Sequence, residues 1–176
     1  MKRSRTWIGF ALVGVLAAGV GFMARGAVAG DEAAAHEGEK PIDGHALVKA
    51  LAGTWTTKAK TNLGDMAGQV TYGLECGKTV LATRYTTKGK EMGEVHGFGV
   101  LKISADGKTA TQWWFDSGMD TVLMMTGPVT ETGFSIEGSN KLGASKVTLE
   151  KKGAGFEMKI FADGAEFSTE TYTKAK

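Results

Sequence analysis

Cysteine, proline and histidine are scarce in this chain: among 176 residues there are one, two and three of them respectively. A single thiol excludes an intrachain disulfide framework. No sequence neighbour of Cys76 supplies a base to activate it, so it reads as a partly buried structural cysteine rather than a nucleophile. The histidines, His36, His45 and His96, show no metal-ligand spacing, and neither a metal nor another cofactor is expected. A Gly-x-Ser-x-Gly elbow, a phosphate loop, a dinucleotide fingerprint and a paired-carboxylate motif are all missing, so no catalytic residue is assigned. Beyond residue 51 no helical pattern of 10–15 residues occurs, which argues against alternating βαβ units.

What is present starts with an export signature. Met1-Lys2-Arg3-Ser4-Arg5 precedes an apolar run from Trp7 to Met23, and Ala27-Val28-Ala29 follows as a small-x-small cleavage site. Residues 1–29 therefore read as a secretory signal peptide, and the protein is expected in a periplasm or secreted. A retained anchor is the alternative, because a spanning helix needs roughly 17–25 apolar residues. The whole chain has 21 Lys+Arg against 19 Asp+Glu, and Lys2, Arg3, Arg5 and Arg25 all lie in that segment with no acid beside them. Its removal leaves a slight acidic excess, so neither nucleic acid nor stable membrane insertion is implied for the mature chain.

Residues 30–41 are small, charged and without periodicity, and read as a flexible tether. The remainder, residues 42–176, is one domain in length. Ala46, Leu47, Ala50 and Leu51 form a helical stripe, with Asp43 as N-cap and Gly53 as stop. Glycine then punctuates ten segments rich in Thr, Val, Phe and Trp: 53–60, 67–74, 79–87, 93–103, 109–116, 120–126, 133–139, 145–151, 155–161 and 166–173. Ala105-Asp106-Gly107-Lys108 and Ala162-Asp163-Gly164 are strong hairpin signals. Val147 and Leu149 alternate with Lys146, Thr148 and Glu150, the pattern of a half-buried antiparallel sheet. The expectation is an all-β, antiparallel up-and-down barrel of about ten strands, with one short N-terminal helix lidding an end. A two-sheet sandwich is the runner-up. Leu51-Ala52-Gly53-Thr54-Trp55 joins helix to barrel: the indole is placed to plug one end, and the glycine to let the helix approach.

The order His45…Leu51-x-Gly53-x-Trp55, then Gly97-x-Gly99, then Trp114-x-Asp116-Ser117, resembles the bacterial family labelled domain of unknown function 1579. The likeness runs from about His45 to Lys174. That family is similar to the lipocalin and fatty-acid-binding-protein barrels, so the resemblance implies a calycin-like barrel and no assigned activity. Where members usually carry Gly-Tyr-Asp at the end of the central strand, this chain has Lys102-Ile103-Ser104, and no role for that tyrosine carries over.

A barrel of this size can enclose one small hydrophobic ligand, fatty-acid- or lipid-like. The candidate lining residues are Trp55, Tyr72, Arg84, His96, Phe98, Gln112, Trp114, Met124, Glu170 and Tyr172. Trp113, Trp114, Phe115, Leu123, Met124 and Met125 form an aromatic and thioether cluster of which only one parity can face inward. Arg84, if it is lumenal and paired with Tyr72 or Tyr172, would hold a carboxylate bidentately; a place on the surface is the alternative. Arg84 and Tyr85 are adjacent, so they face opposite sides of their strand. His96, flanked by glycines that admit a flat group, is a minor haem option. Two alternatives of other classes remain: a solid barrel serving as a protein-interaction module, and a barrel enzyme with a buried Glu170 or Asp116.

Overall fold

The computed structural model describes residues 43–176, so the expected export segment and tether lie outside the described residues. Helix α1 (Gly44–Leu51) begins where the Asp43 side chain accepts the His45 amide at 3.1 Å, the expected N-cap. Its buried stripe is Leu47, Val48 and Leu51. Ten strands follow: β1 (Gly53–Thr61), β2 (Gly64–Glu75), β3 (Val80–Gly89), β4 (Gly93–Ile103), β5 (Thr109–Asp116), β6 (Leu123–Pro128), β7 (Gly133–Asn140), β8 (Gly143–Lys152), β9 (Gly155–Ala162) and β10 (Ala165–Lys174). Each pairs antiparallel with the next, and β10 returns to pair with β1, closing the barrel. Closure leaves no unpaired edge, which a sandwich would have kept.

Period-two alternation sets what lies inside. Trp55, Thr57 and Ala59 are buried between exposed Thr56, Lys58 and Lys60. A register shift between Glu166 and Ser168 in β10 brings Ser168, Glu170 and Tyr172 onto the buried parity. Charged residues outside and apolar ones inside are the reverse of a lipid-spanning barrel. Within the described residues, no helix is long and apolar enough to cross a membrane.

One mouth of the barrel is closed by α1. Here Leu47, Leu51, Leu81, Leu101, Ile103, Phe134, Leu149 and Phe156 form a continuous apolar core. A buried side chain of this size contributes about 1.5–3 kcal/mol. Trp55 is the plug. Its Nε1 donates to the Leu51 carbonyl at 2.7 Å, and its ring meets Phe156 edge-on at 5.2 Å. Gly53 turns the chain from helix into strand at a φ of +113°, and a Cβ there would stand 2.7 Å from the Lys174 Nζ. That ammonium lies 4.4 Å from the Trp55 ring and donates to the Ala52 carbonyl.

Two expectations need correction. Cys76 is exposed, because it sits in the tight turn Cys76–Lys78 between β2 and β3 with a φ of +48°. Strand β6 starts at Leu123 and not at residue 120. Asp116 organises the intervening turn, accepting the Gly118 amide on Oδ1 at 2.7 Å, while its carbonyl takes the Met119 amide.

Candidate functional site

The half of the barrel away from the helix has a different lining. On β1, β2 and β3 most inward positions become small or hydroxylic, with Thr57, Ala59, Gly68 and Thr87 beside the larger Met66. Ser168 and Glu170 face them from β10, where Glu170 pairs with Ala59. Tyr85 enters from β3, and its Oη donates to Glu170 Oε1 at 2.7 Å. Tyr72 and Tyr172 stand toward the helix, their ring centroids 6.4 Å apart. The Tyr172 hydroxyl donates to the Met158 sulfur at 3.3 Å.

Glu170 is only 5 % exposed. Burial pushes its carboxyl above the usual carboxylate range, against the opposing pull of the Tyr85 and Tyr172 hydroxyls. Burial likewise raises Tyr72, Tyr85 and Tyr172, and the Glu170 charge adds to each, so all three keep their protons. Among the described residues Glu170 is the one buried ionisable carboxyl, and no lysine or arginine is buried with it. The hydroxyls of Thr57, Thr83, Thr87 and Ser168 are buried on inward positions and have no hydrogen-bond partner. Buried polar groups are satisfied in the great majority of cases, so four orphans lining one barrel mark a place where a further polar partner fits.

Trp114 forms the opposite wall. Strand β4 offers Gly97 and Gly99 on its inward parity, and β5 pairs Trp114 with Gly99. A Cβ on Gly97 would fall 2.3 Å from the indole, and one on Gly99 2.6 Å. The flat group that lies against these two glycines is therefore the chain's own tryptophan. Its Nε1 donates to Asp116 Oδ2 at 3.1 Å, and Tyr85 meets its ring edge-on at 6.0 Å. Trp114, Tyr85 and Ile160 are only partly buried, as is Met119, which packs on the core from the turn before β6. Beside them, Thr57, Thr87, Ser168 and Glu170 are almost fully buried.

Of the expected lining residues, Trp55, Tyr72, Gln112, Trp114, Glu170 and Tyr172 face inward. Arg84, His96, Phe98 and Met124 do not, and their placement inside the barrel is corrected. They occupy the parity opposite to Tyr85, Gly97, Gly99 and Met125, which fixes them outside. Arg84 stacks on Phe98 at 5.7 Å from the ring, with Phe115 beyond it. Its guanidinium therefore cannot anchor a ligand carboxylate in the lumen. His96 is 62 % exposed, 3.4 Å from Glu94, so it presents no axial nitrogen to the interior and the haem option loses its ligand. Phe98, Phe115 and Met124 are exposed on the outer face of β4, β5 and β6. An open groove of about 890 Å³ at this end is lined by Lys58, Lys60, Lys88 and Lys90 with Asp65, and also by the inward Ala59 and Met66.

The sequence reading did not assign the hydroxyls of Thr57, Thr83, Thr87 and Ser168, nor Tyr85 as the partner of Glu170. For Tyr85 a signal existed. It shares parity with Leu81 and Thr83 in a strand whose other parity holds Arg84 and Lys88. For the hydroxyls there was none, because threonine is common on the solvent side of strands.

No family model matches the chain, and no curated protein matches it. Among solved structures the chain is similar to a de novo designed fluorescence-activating β-barrel, at 12 % identity and a TM-score of 0.48 over 76 % of this chain and 99 % of that one. It is also similar to a redesigned β-barrel, mFAP1, bound to DFHBI, at 13 % identity and a TM-score of 0.44 over 73 % of this chain and 98 % of that one.

Proposed function

We propose that the chain is a binding barrel that takes one small, largely apolar molecule into the half of its interior away from the helix, with the molecule's polar group at Glu170 and Tyr85. The observation that carries this reading is the set of four buried inward hydroxyls without partners in the barrel that also buries the Glu170 carboxyl. Leaving such groups unmet costs about 1–3 kcal/mol each, a cost a ligand bearing donors and acceptors relieves. The partly buried Trp114, Tyr85 and Ile160 offer apolar contact on the way in. The export signal of residues 1–29 belongs to the same reading and places the binder in a periplasm or outside the cell. So does the resemblance to domain of unknown function 1579, which brings a calycin-like barrel with it. The lipid-like ligand stands in this reading without a guanidinium anchor, since Arg84 is outside.

The test is native against denaturing mass spectrometry of protein purified without detergent, together with titration by the neutral dye Nile red. A mass that leaves on denaturation, or saturable dye binding lost in Trp114→Ala, is the expected result. A bare mass with no dye binding overturns the reading.

A further inference from the structure

Resting on that reading, we infer that the ligand is an organic cation: an apolar molecule carrying an amine, with the Glu170 carboxylate as counter-ion and the faces of Tyr85, Tyr172 and Trp114 as its walls. The interior holds an acid and, among the described residues, no buried base to answer it. At the mouth the second acid on an inward position, Asp116, pairs with Gly97 and accepts from the Trp114 indole, so it adds negative charge along the way in. The described inward residues of this half include no lysine or arginine. Lys174, at the other end, is engaged with the Trp55 ring and the Ala52 carbonyl.

A carboxylate ligand would meet an ionised Glu170 as a like charge, or would depend on the proton that burial favours there. A neutral ligand would leave it with the Tyr85 hydroxyl as its anchor. An ammonium instead supplies three donors, while Glu170 and the partnerless hydroxyl oxygens of Thr57, Thr87 and Ser168 are acceptors on inward positions of the same barrel. Aromatic faces around a desolvated cation add further attraction through their quadrupoles, and Tyr85 with Trp114 already stand edge to face. A protonated Glu170 gives up its proton to solvent as the ammonium docks, so the bound pair is carboxylate and ammonium with one proton released. Burial, which favours the neutral acid in the empty barrel, thereby becomes compatible with a charged partner.

The experiment is calorimetric titration of the protein with three matched probes: decylamine, 1-decanol and decanoic acid. The amine is expected to bind about tenfold or more tightly than the alcohol, and the acid weakest of the three. In Glu170→Gln the advantage of amine over alcohol should vanish while the alcohol still binds. Equal binding of amine and alcohol, a preference for the acid, or an amine preference that survives in E170Q overturns the cation assignment and leaves the binding barrel standing. Should none of the three bind, the binding reading itself falls. If E170Q does not fold, the ranking on the unaltered barrel decides alone.

Discussion

The two halves of this barrel are built on opposite principles. Under the helix, the inward groups are mostly apolar: Trp55 donates to the Leu51 carbonyl, and Leu51, Leu81 and Leu149 are completely buried. Away from the helix, the same strands carry hydroxyls without partners, a carboxyl that burial holds above its usual range and an indole resting on bare backbone. One half is arranged for stability, and the other holds features that cost stability. Such costs collect where a protein binds something, because strain and unmet polarity persist only if the rest of the fold outweighs them.

The strongest way to break the comparison is to attack the helix end. Trp55→Ala removes a side chain 3 % exposed, its hydrogen bond to Leu51, its edge contact with Phe156 and the seat of Lys174. Guanidinium unfolding should show a loss of about 3–5 kcal/mol. A loss below about 1 kcal/mol would mean that the helix end is not the stabilising half. Gly99→Ala probes the other half by overpacking. Its Cβ would stand 2.6 Å from the Trp114 ring and 3.1 Å from the Trp113 carbonyl, so the indole must move. A destabilisation of about 1–3 kcal/mol is expected, with a shift in tryptophan emission as Trp114 leaves its notch.

These glycines also explain what could be read in advance and what could not. The hairpin signals and the two-residue period place ten strands within a few residues, because local turn chemistry and alternation set them. The parity of the aromatic hairpin is another matter. Trp113-Trp114-Phe115 and Leu123-Met124-Met125 are apolar on both parities, so alternation has nothing to distinguish. The deciding information sits on the neighbouring strand, where Gly97 and Gly99 share one parity and leave room for one large partner across the sheet. Arg84 shows a similar limit: the residues alone allow a carboxylate anchor or a surface position, whereas the register puts Tyr85 inside and Arg84 against Phe98. Cys76 lacks any pattern to mark it as a turn residue until the positive φ is seen.

A pH series separates the halves without moving a large side chain. Glu170 is held above its ordinary range in the folded barrel, so the folded chain binds that proton more tightly than the unfolded chain. Its contribution to stability is therefore complete below the ordinary carboxylate titration and is lost as pH rises through the raised value. Tyr72, Tyr85 and Tyr172 face the same carboxyl and keep their protons throughout, so they add no slope of their own. Thermal unfolding of the empty protein should show stability falling with rising pH across this window, and Glu170→Gln should flatten that fall. An identical slope in E170Q would mean that another group sets it.

The smallest effect is the most discriminating. Thr87 Oγ1 is buried at 2 % exposure and has no partner, and valine has nearly the same shape. A hydroxyl buried on a satisfied network loses stability when replaced, because its partner is orphaned in turn. A hydroxyl buried alone does the reverse: its desolvation cost disappears and nothing else is left unmet. Thr87→Val should therefore leave the empty barrel unchanged or stabilise it by up to about 1 kcal/mol in guanidinium unfolding. The same substitution should weaken amine binding, since one acceptor in the far half is gone. Substituting an inward residue under the helix for a smaller one can only destabilise, so a stabilising change at Thr87 would locate the unmet polarity in one half of the molecule. A loss of more than about 1 kcal/mol in the empty protein would instead mean that Thr87 already has a partner, and the contrast between the halves would weaken there first.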